Sequence, residues 1–484
     1  MSASMTRTKT SEGGHSGPPK SGLEKPAAVG DGVQTELGRL PADWSALPIR
    51  DVGEVITGRT PSTKREDLYN GEYNLISPAD LDNGKYVVTA HKRLSEVGFK
   101  ECRALPKDSV LVGCIGNVGK LGMISDERSA TNQQINAVIC DKNHDSHFIY
   151  YCLHENRARL EWAADKTTLP ILNKTNFENF EIATPPLPEQ RKIAAMLGLV
   201  QRAIEQQERL IVLTTELKKA LLHKLFSEGL RGEPQKQTEI GPVPESWEAT
   251  TLGVLASKPS GFLQTGPFGS QLHKHDYLKD GIGVVNPTHL WDNQINHEEV
   301  PRVSPETAAR LERHRLAVGD ILFARRGEIG RHGMVTEKEE GWLCGTGCFL
   351  ARVRRKDIDN RFLSYLFSTS GCIAWLNSHA AGAIMPNLNN TVLKSMPVFF
   401  PKLETQADIA DCLDAAEKKM AIHERKKQSL TNLFRTLLHQ LMTAQIRVHD
   451  LDLGEILQQP VAENLSQAVR ENVDELSTNG RQAG

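Results

Sequence analysis

The sequence predicts an α+β chain: two globular, mostly β domains, each followed by a long helix, with the two helices pairing as an antiparallel coiled coil. Three observations carry that expectation. The chain runs twice through one plan. Each run closes on a long stretch with apolar residues at alternating spacings of four and three. Ahead of each such stretch lie short apolar runs broken by Gly, Asn and Asp, the pattern of strands and turns.

Residues 1–38 are rich in Ser, Thr, Gly, Pro and Lys and nearly free of large apolar residues, so a disordered tail is expected. The first globular domain is assigned to 39–185 and opens on Leu40-Pro41-Ala42-Asp43-Trp44; the second, 243–401, opens on Val243-Pro244-Glu245-Ser246-Trp247. Inside them, Val110-Leu111-Val112-Gly113-Cys114-Ile115-Gly116-Asn117-Val118-Gly119-Lys120 matches Ile321-Leu322-Phe323-Ala324-Arg325-Arg326-Gly327-Glu328-Ile329-Gly330-Arg331 at an offset of 211 residues. Both read as an apolar strand, a turn with glycines three apart, and a basic residue.

Each domain ends on a matching junction. Leu169-Pro170-Ile171-Leu172-Asn173 precedes Pro185-Pro186-Leu187-Pro188-Glu189-Gln190; Met385-Pro386-Asn387-Leu388-Asn389 precedes Pro401-Lys402-Leu403-Glu404-Thr405-Gln406, 216 residues on. The helices follow, a central one at 186–226 and a distal one at 402–447, joined to the second domain by a linker at 227–242. Their seams read Ile193, Leu197, Val200, Ile204, Gln207, Ile211, Thr214, Lys218, Leu221, Leu225, and Ile409, Leu413, Ala416, Met420, His423, Lys427, Leu430, Phe434, Leu437, Leu441. So narrow a stripe needs a partner helix, and its mid-helix polar residues can fix register. The competing reading is an amphipathic helix lying on its own domain. The tail from 448 to 484 is acidic, with Leu451, Leu453, Ile456 and Leu457 suited to a short helix.

Composition narrows the function. Apolar residues make up 39% of 484, enough for real cores, and no apolar run approaches the 18 residues of a membrane span. The N-terminus lacks a signal peptide's apolar segment, so a cytoplasmic protein with eight reduced cysteines is expected, and no membrane partner. A net charge of −2 argues against nucleic-acid binding by bulk positive charge.

Catalytic signatures are missing. Gly113 to Lys120 resembles a phosphate loop, but Cys114 stands where GxxxxGK[ST] needs Gly and Leu121 where it needs Ser or Thr. A tight turn is the better reading. Ala183-Thr184-Pro185-Pro186 and Asn286-Pro287-Thr288 do not make a methyltransferase motif, and Cys344 and Cys348 lack a second ligand pair. These absences favour a binding protein, neither an enzyme nor a metal protein, with no cofactor of its own.

The repeated junctions resemble the S (specificity) subunits of type I restriction–modification systems. The resemblance rests on Pro-Pro-Leu-Pro-Glu-Gln-Arg-Lys-Ile-Ala (185–194), Val243-Pro244-Glu245-Ser246-Trp247, Gly266-Pro267-Phe268-Gly269-Ser270 and Gly58-Arg59-Thr60-Pro61-Ser62-Thr63, within residues 40 to 446. It implies that each globular half is a target recognition domain reading one part of a split double-stranded DNA site. The helices would act as a spacer and dock two methyltransferase subunits; two restriction (motor–nuclease) subunits would join for cleavage. S-adenosylmethionine, ATP and Mg would sit on those partners, which would also supply part of the DNA clamp. Glu404-Thr405 in place of Pro188-Glu189 leaves the start of the second helix less well defined. A recognition subunit whose partner fuses methyltransferase and nuclease, or an assembly scaffold that binds no DNA, remain alternatives.

Arg, Lys, Asn and Gln read bases in the major groove, and Ser and Thr often hold phosphate. On that chemistry the candidates in the first half are Thr60, Ser62, Lys64, Arg65, Lys120, Asn132, Gln133 and Gln134. In the second they are Ser270, His273, Lys274, Arg325, Arg326, Arg331, Asn387, Asn389 and Asn390. Each could equally be a solvated loop residue or a turn former.

Overall fold

The computed structural model describes residues 32–165, 169–291, 293–380 and 387–448. They form two compact units, one built from the residues up to 203 together with those from 430 on, the other from residues 204–429. Each long helix therefore gives one stretch to each unit.

In the first unit a five-stranded sheet runs in the order Gly53–Thr57, Ile135–Cys140, Val110–Gly113, Leu121–Ile124, Tyr86–Val87. All neighbours are antiparallel except the last pair. Val110-Leu111-Val112 is apolar at every position because both faces of the strand are covered. Val110 and Val112 enter one core with Phe148, Ile149 and Tyr151 of the helix Ser146–Glu155. Leu111 enters another with Ile76 and Leu81. Successive side chains of a strand point to opposite faces, so an unbroken apolar run marks a strand buried on both.

The second unit repeats the arrangement. Its sheet runs Gly261–Thr265, Cys348–Val353, Ile321–Ala324, His332–Met334. Ile321 and Phe323 face the core that holds Phe362 and Tyr365 of the helix Asn360–Phe367, while Leu322 and Ala324 face a second one. Each half is closed by a ribbon joining its first and last strands. Ser45–Pro48 pairs with Glu181–Thr184, and Glu248–Thr251 with Pro397–Phe400, both antiparallel.

Two boundaries need correction. Residues 33–38 belong to a hairpin, Val33–Thr35 with Gly38–Leu40, and not to the tail expected up to 38. The stretch 227–242 is not a plain linker: the helix reaches Glu228, and Gln235–Thr238 pairs with Gly241–Pro244. The hairpins are repeats of each other. The Thr35 and Thr238 hydroxyls donate to Gly38 O (2.8 Å) and Gly241 O (2.6 Å). Gln-Thr-Glu-x-Gly has the composition of a linker; its order comes from this turn and from Leu40 and Val243, buried at its end. The tail from 449 on, and Met385 and Pro386, lie outside the described residues.

The long helices run Leu187–Glu228 and Leu403–Met442. Both start on one device. The Gln190 side chain accepts from Asp145 N and donates to Pro185 O, each at 2.9 Å. Gln406 accepts from Asp359 N (2.9 Å) and donates to Pro401 O (2.8 Å). The glutamine is what the two junctions share, and it holds both helix starts although Glu404-Thr405 stands where the first has Pro188-Glu189. Beyond the second helix, Arg447 binds Glu189 (2.8 Å) and Asp43 (2.6 Å), and Trp44 Nε1 donates to Glu189 (3.2 Å). The tryptophan that opens the first half thus lies under this ion-pair cluster.

All twenty seam positions are buried or half-buried. In the second unit the helices are antiparallel: Gln207 meets His423 (2.9 Å), Glu208 Lys427 (2.9 Å), Thr215 Met420 (3.3 Å) and Lys218 Glu417 (2.9 Å). In the first, Ile193 and Leu197 from the start of one helix share a core with Leu441 from the end of the other. The competing reading holds for the helix starts: Ile193 and Leu197, and likewise Ile409 and Leu413, belong to the core of the half that each helix follows, whereas Leu225 and Leu441 at the helix ends enter the core of the other half. The middle of the second unit's pair, from Gln207 to Lys218 and from Glu417 to Lys427, is the paired seam.

Lys218 and Glu417 have side chains only 10% and 15% exposed. Replacing Lys218 by Ala leaves a carboxylate in the seam without its ammonium, which should cost about 3 kcal/mol. Lys218→Met with Glu417→Leu should recover most of that loss. Equilibrium denaturation checks both, and a single substitution costing under about 0.5 kcal/mol, the range of an exposed pair, would show that the ion pair adds nothing.

Candidate nucleic-acid interface

In the first half, three of the candidate groups meet at one end of the five-stranded sheet. The chain leaves the strand Gly53–Thr57 through Gly58, whose amide donates to Ile135 O (3.1 Å). A side chain on Gly58 would overlap the carbonyl oxygens of Thr131 and Asn132, so the two loops can touch only with glycine here. Thr60 Oγ1 then donates to Gln133 Oε1 (2.6 Å), and Asn132 Nδ2 to Gln134 Oε1 (3.0 Å). Gln134 O accepts from Cys114 N (2.8 Å), which joins these loops to the glycine turn after Val110–Gly113. Lys120, half-buried, sits where that turn returns, its carbonyl accepting from Gly113 N (2.8 Å).

Ser62, Lys64 and Arg65 are exposed further along the first loop. Arg65 is less available than its exposure suggests. Asp67 (2.5 Å) and Glu101 (3.2 Å) hold its guanidinium, and the hydrogen bond and charge of Asp67 raise its pKa. Cys114, at the head of the turn, is buried, and burial pushes its thiol up to about 12.

In the second half the same end of the sheet carries different side chains. Arg325 Nε donates to Asn387 Oδ1 (3.3 Å), its guanidinium lies 6.0 Å from the Phe349 ring centre, and Arg325 O accepts from Leu388 N (3.0 Å). Arg326, exposed, bridges to Asn387 through the backbone. The structure thus brings Arg325, Arg326 and Asn387 together across about sixty residues of sequence. Arg331 ends the turn, paired with Glu328 (2.7 Å) and stacked 4.5 Å over Trp291.

Ser270, His273 and Lys274 are exposed on the loop after Gly261–Thr265. His273 and Lys274 start a short helical turn in which His273 N donates to Asp276 (2.7 Å). Asn389 holds backbone in place: its side chain accepts from Val392 N (2.8 Å) and caps a helix that includes Asn390. Asn173 does the same for Asn176 N (2.8 Å) in the first half.

Three exposed aromatic residues escape the sequence reading, Trp162 (76% exposed), Phe268 (63%) and Trp291 (59%), as does Arg59 beside Thr60. An aromatic residue in a Gly/Pro-rich loop was the available signal for Phe268. Cys344 and Cys348 are buried free thiols with raised pKa, and no group of three metal-ligating side chains occurs among the described residues.

The model of the type I restriction modification DNA specificity domain matches residues 41–215 and 284–432, about two thirds of the chain. Both segments run from a globular half into its long helix. The chain belongs to this family.

Among its relatives, the type I restriction enzyme MjaVIII specificity subunit of Methanocaldococcus jannaschii is 24% identical over 426 residues, covering 86% of this chain and 95% of the relative. The HindI specificity subunit of Haemophilus influenzae is 29% identical over 206 residues, 41% of this chain and 44% of its own. The crystal structure of a type I restriction–modification S subunit from M. genitalium shares the fold at TM-score 0.55 and 17% identity, covering 82% of this chain and 96% of that one. The chain is a type I specificity subunit, the non-catalytic DNA-recognition component of its system. Specificity subunits of these systems bind DNA and assemble with methyltransferase and restriction subunits. No helix among the described residues is long and apolar enough to cross a membrane.

Proposed function

We propose that the matched sheet ends are the DNA-reading edges, and that each half reads one part of a bipartite double-stranded site. One observation carries this. The repeat puts the same platform in both halves, and on each the polar residues of separate loops converge: Thr60 with Gln133 and Gln134 in one, Arg325 and Arg326 with Asn387 in the other. Ser62 and Lys64 on the loop of Thr60, Lys120 and Arg331 at the ends of the glycine turns, and Ser270, His273 and Lys274 on the loop after Gly261–Thr265 are assigned to phosphate; Arg65, held by Asp67, contributes less, and Asn389 acts as a cap. Two methyltransferase subunits dock on the paired helices, and two restriction subunits complete the nuclease. S-adenosylmethionine, ATP and Mg belong to those partners, and the assembly works in the cytoplasm. Partner subunits supply much of the positive charge, in keeping with a net charge of −2 on this chain.

The arginines test the assignment. In the complex with its methyltransferase subunits, Arg325→Ala or Arg326→Ala should cost about 1–3 kcal/mol at one guanine position and relax discrimination there. Binding to duplexes varied one position at a time reads this out. A loss spread evenly over all sequences would move the residue to phosphate, and no loss would leave it a solvated loop side chain.

A further inference from the structure

We infer that the glycine turn of the first half reads a thymine through its methyl group, at the place where the second half reads a guanine. The inference rests on the proposed reading role of this sheet end.

The two turns share a backbone. Gly113 N donates to Lys120 O and Ala324 N to Arg331 O, both at 2.8 Å. Cys114 O accepts from Leu172 N (2.8 Å) as Arg325 O does from Leu388 N (3.0 Å). Ile115 bridges to Ile171 as Arg326 bridges to Asn387. The paired glycines all have positive φ, 78° and 83° at Gly116 and Gly119, 86° and 96° at Gly327 and Gly330. Each residue of one turn therefore has a defined counterpart in the other.

The side chains on that backbone are opposite in kind. Arg325 is replaced by the buried Cys114, and the pair Arg326–Asn387 by the half-buried pair Ile115–Ile171. Leu169, 50% exposed, stands beside them; a Cβ built on Gly116 would lie 3.5 Å from its Cδ1. Where the second half offers two guanidiniums and an amide, the first offers a buried thiol and three aliphatic side chains, Ile115, Ile171 and Leu169.

In the major groove, guanine shows two acceptors, which suit arginine, while thymine shows one acceptor and a methyl group. An aliphatic surface cannot donate a hydrogen bond, so the only base feature that rewards it is that methyl. The neighbouring loop fits the thymine's partner. Gln134, bonded through its carbonyl to Cys114 N, and Gln133 carry amides, which suit adenine. Aliphatic residues beside glutamines thus make one A·T reader.

The test uses the assembled complex of the chain with its methyltransferase subunits and a duplex of its methylated sequence. Each thymine in the half-site read by the first half is replaced in turn by deoxyuridine, which lacks only the methyl. One replacement should weaken binding about fourfold, the value of one buried methyl group. The Leu169→Ala complex should bind thymine and uridine duplexes more nearly alike, while Arg325→Ala should keep the discrimination. Full affinity on every uridine duplex, or a half-site with no A·T pair, would overturn the inference while leaving the reading edge intact, provided Arg325→Ala or Arg326→Ala still costs affinity at a guanine. If the arginine substitutions are silent as well, the edge itself is misassigned and the inference falls with it.

Discussion

Replacing residues 248–400 by the corresponding segment of another specificity subunit is expected to change one half of the methylated DNA sequence completely and leave the other half as it was. The cut points follow from the ribbon Glu248–Thr251 with Pro397–Phe400, which brings the segment's two ends side by side. An exchange there replaces the whole sheet end and keeps the Gln406–Pro401 bond at the helix start, while the incoming segment must supply the backbone amide that Asp359 gives Gln406; the ribbon Ser45–Pro48 with Glu181–Thr184 of the other half is untouched. The measurement is the set of methylated positions in DNA from cells carrying the complex. A change in both halves of the sequence would rule out independent reading.

The second large effect concerns the spacing between the half-sites. Because the helices are antiparallel, an inserted heptad must be placed at facing positions. Thr215 faces Met420, so insertions after Thr214 and after Met420 keep Lys218 on Glu417 to one side and Gln207 on His423 to the other. Insertion at repeat-equivalent positions, after Thr214 and Leu430, would instead shift the stretch between them by seven residues and break Gln207 from His423. Seven residues add about 10 Å of helix. At about 3.4 Å per base pair, the gap between half-sites should widen by up to about three pairs, with the bases themselves unchanged. The altered rotation around the duplex should lower activity. An unchanged gap at full activity would mean that the helices serve only to dock partners.

The helices were legible because their signal is periodic and long: all twenty seam residues from Ile193 to Leu441 are covered. The glycine turns were legible because they occur twice, and comparison at a fixed offset exposes a shared backbone under different side chains. The hairpins at 33–40 and 235–244 escaped because they are short and polar, and their order comes from Leu40 and Val243 in cores assembled elsewhere in the chain. The candidate residues could be named one by one from the sequence, but not the geometry that brings them together. Thr60 and Gln133 lie 73 residues apart, and only the sheet brings them together. Asn389 could have been discounted: its counterpart Asn173 sits at the same junction, and a residue required in both halves whatever they read is a cap before it is a reader.

Gly58 and its counterpart Gly266 carry a consequence for how such a protein can change. Any side chain at either position would overlap a neighbouring carbonyl, of Thr131 and Asn132 in one half and of Gly345 in the other. The glycine from which each of these loops departs is thus closed to substitution, while exposed positions beyond it, Ser62 in one half and Ser270 in the other, lie outside the cores. New specificities can arise there by drift in side chains that no core depends on. In each half one glycine thus marks the border between a backbone held by close approach and a loop whose exposed side chains no core requires.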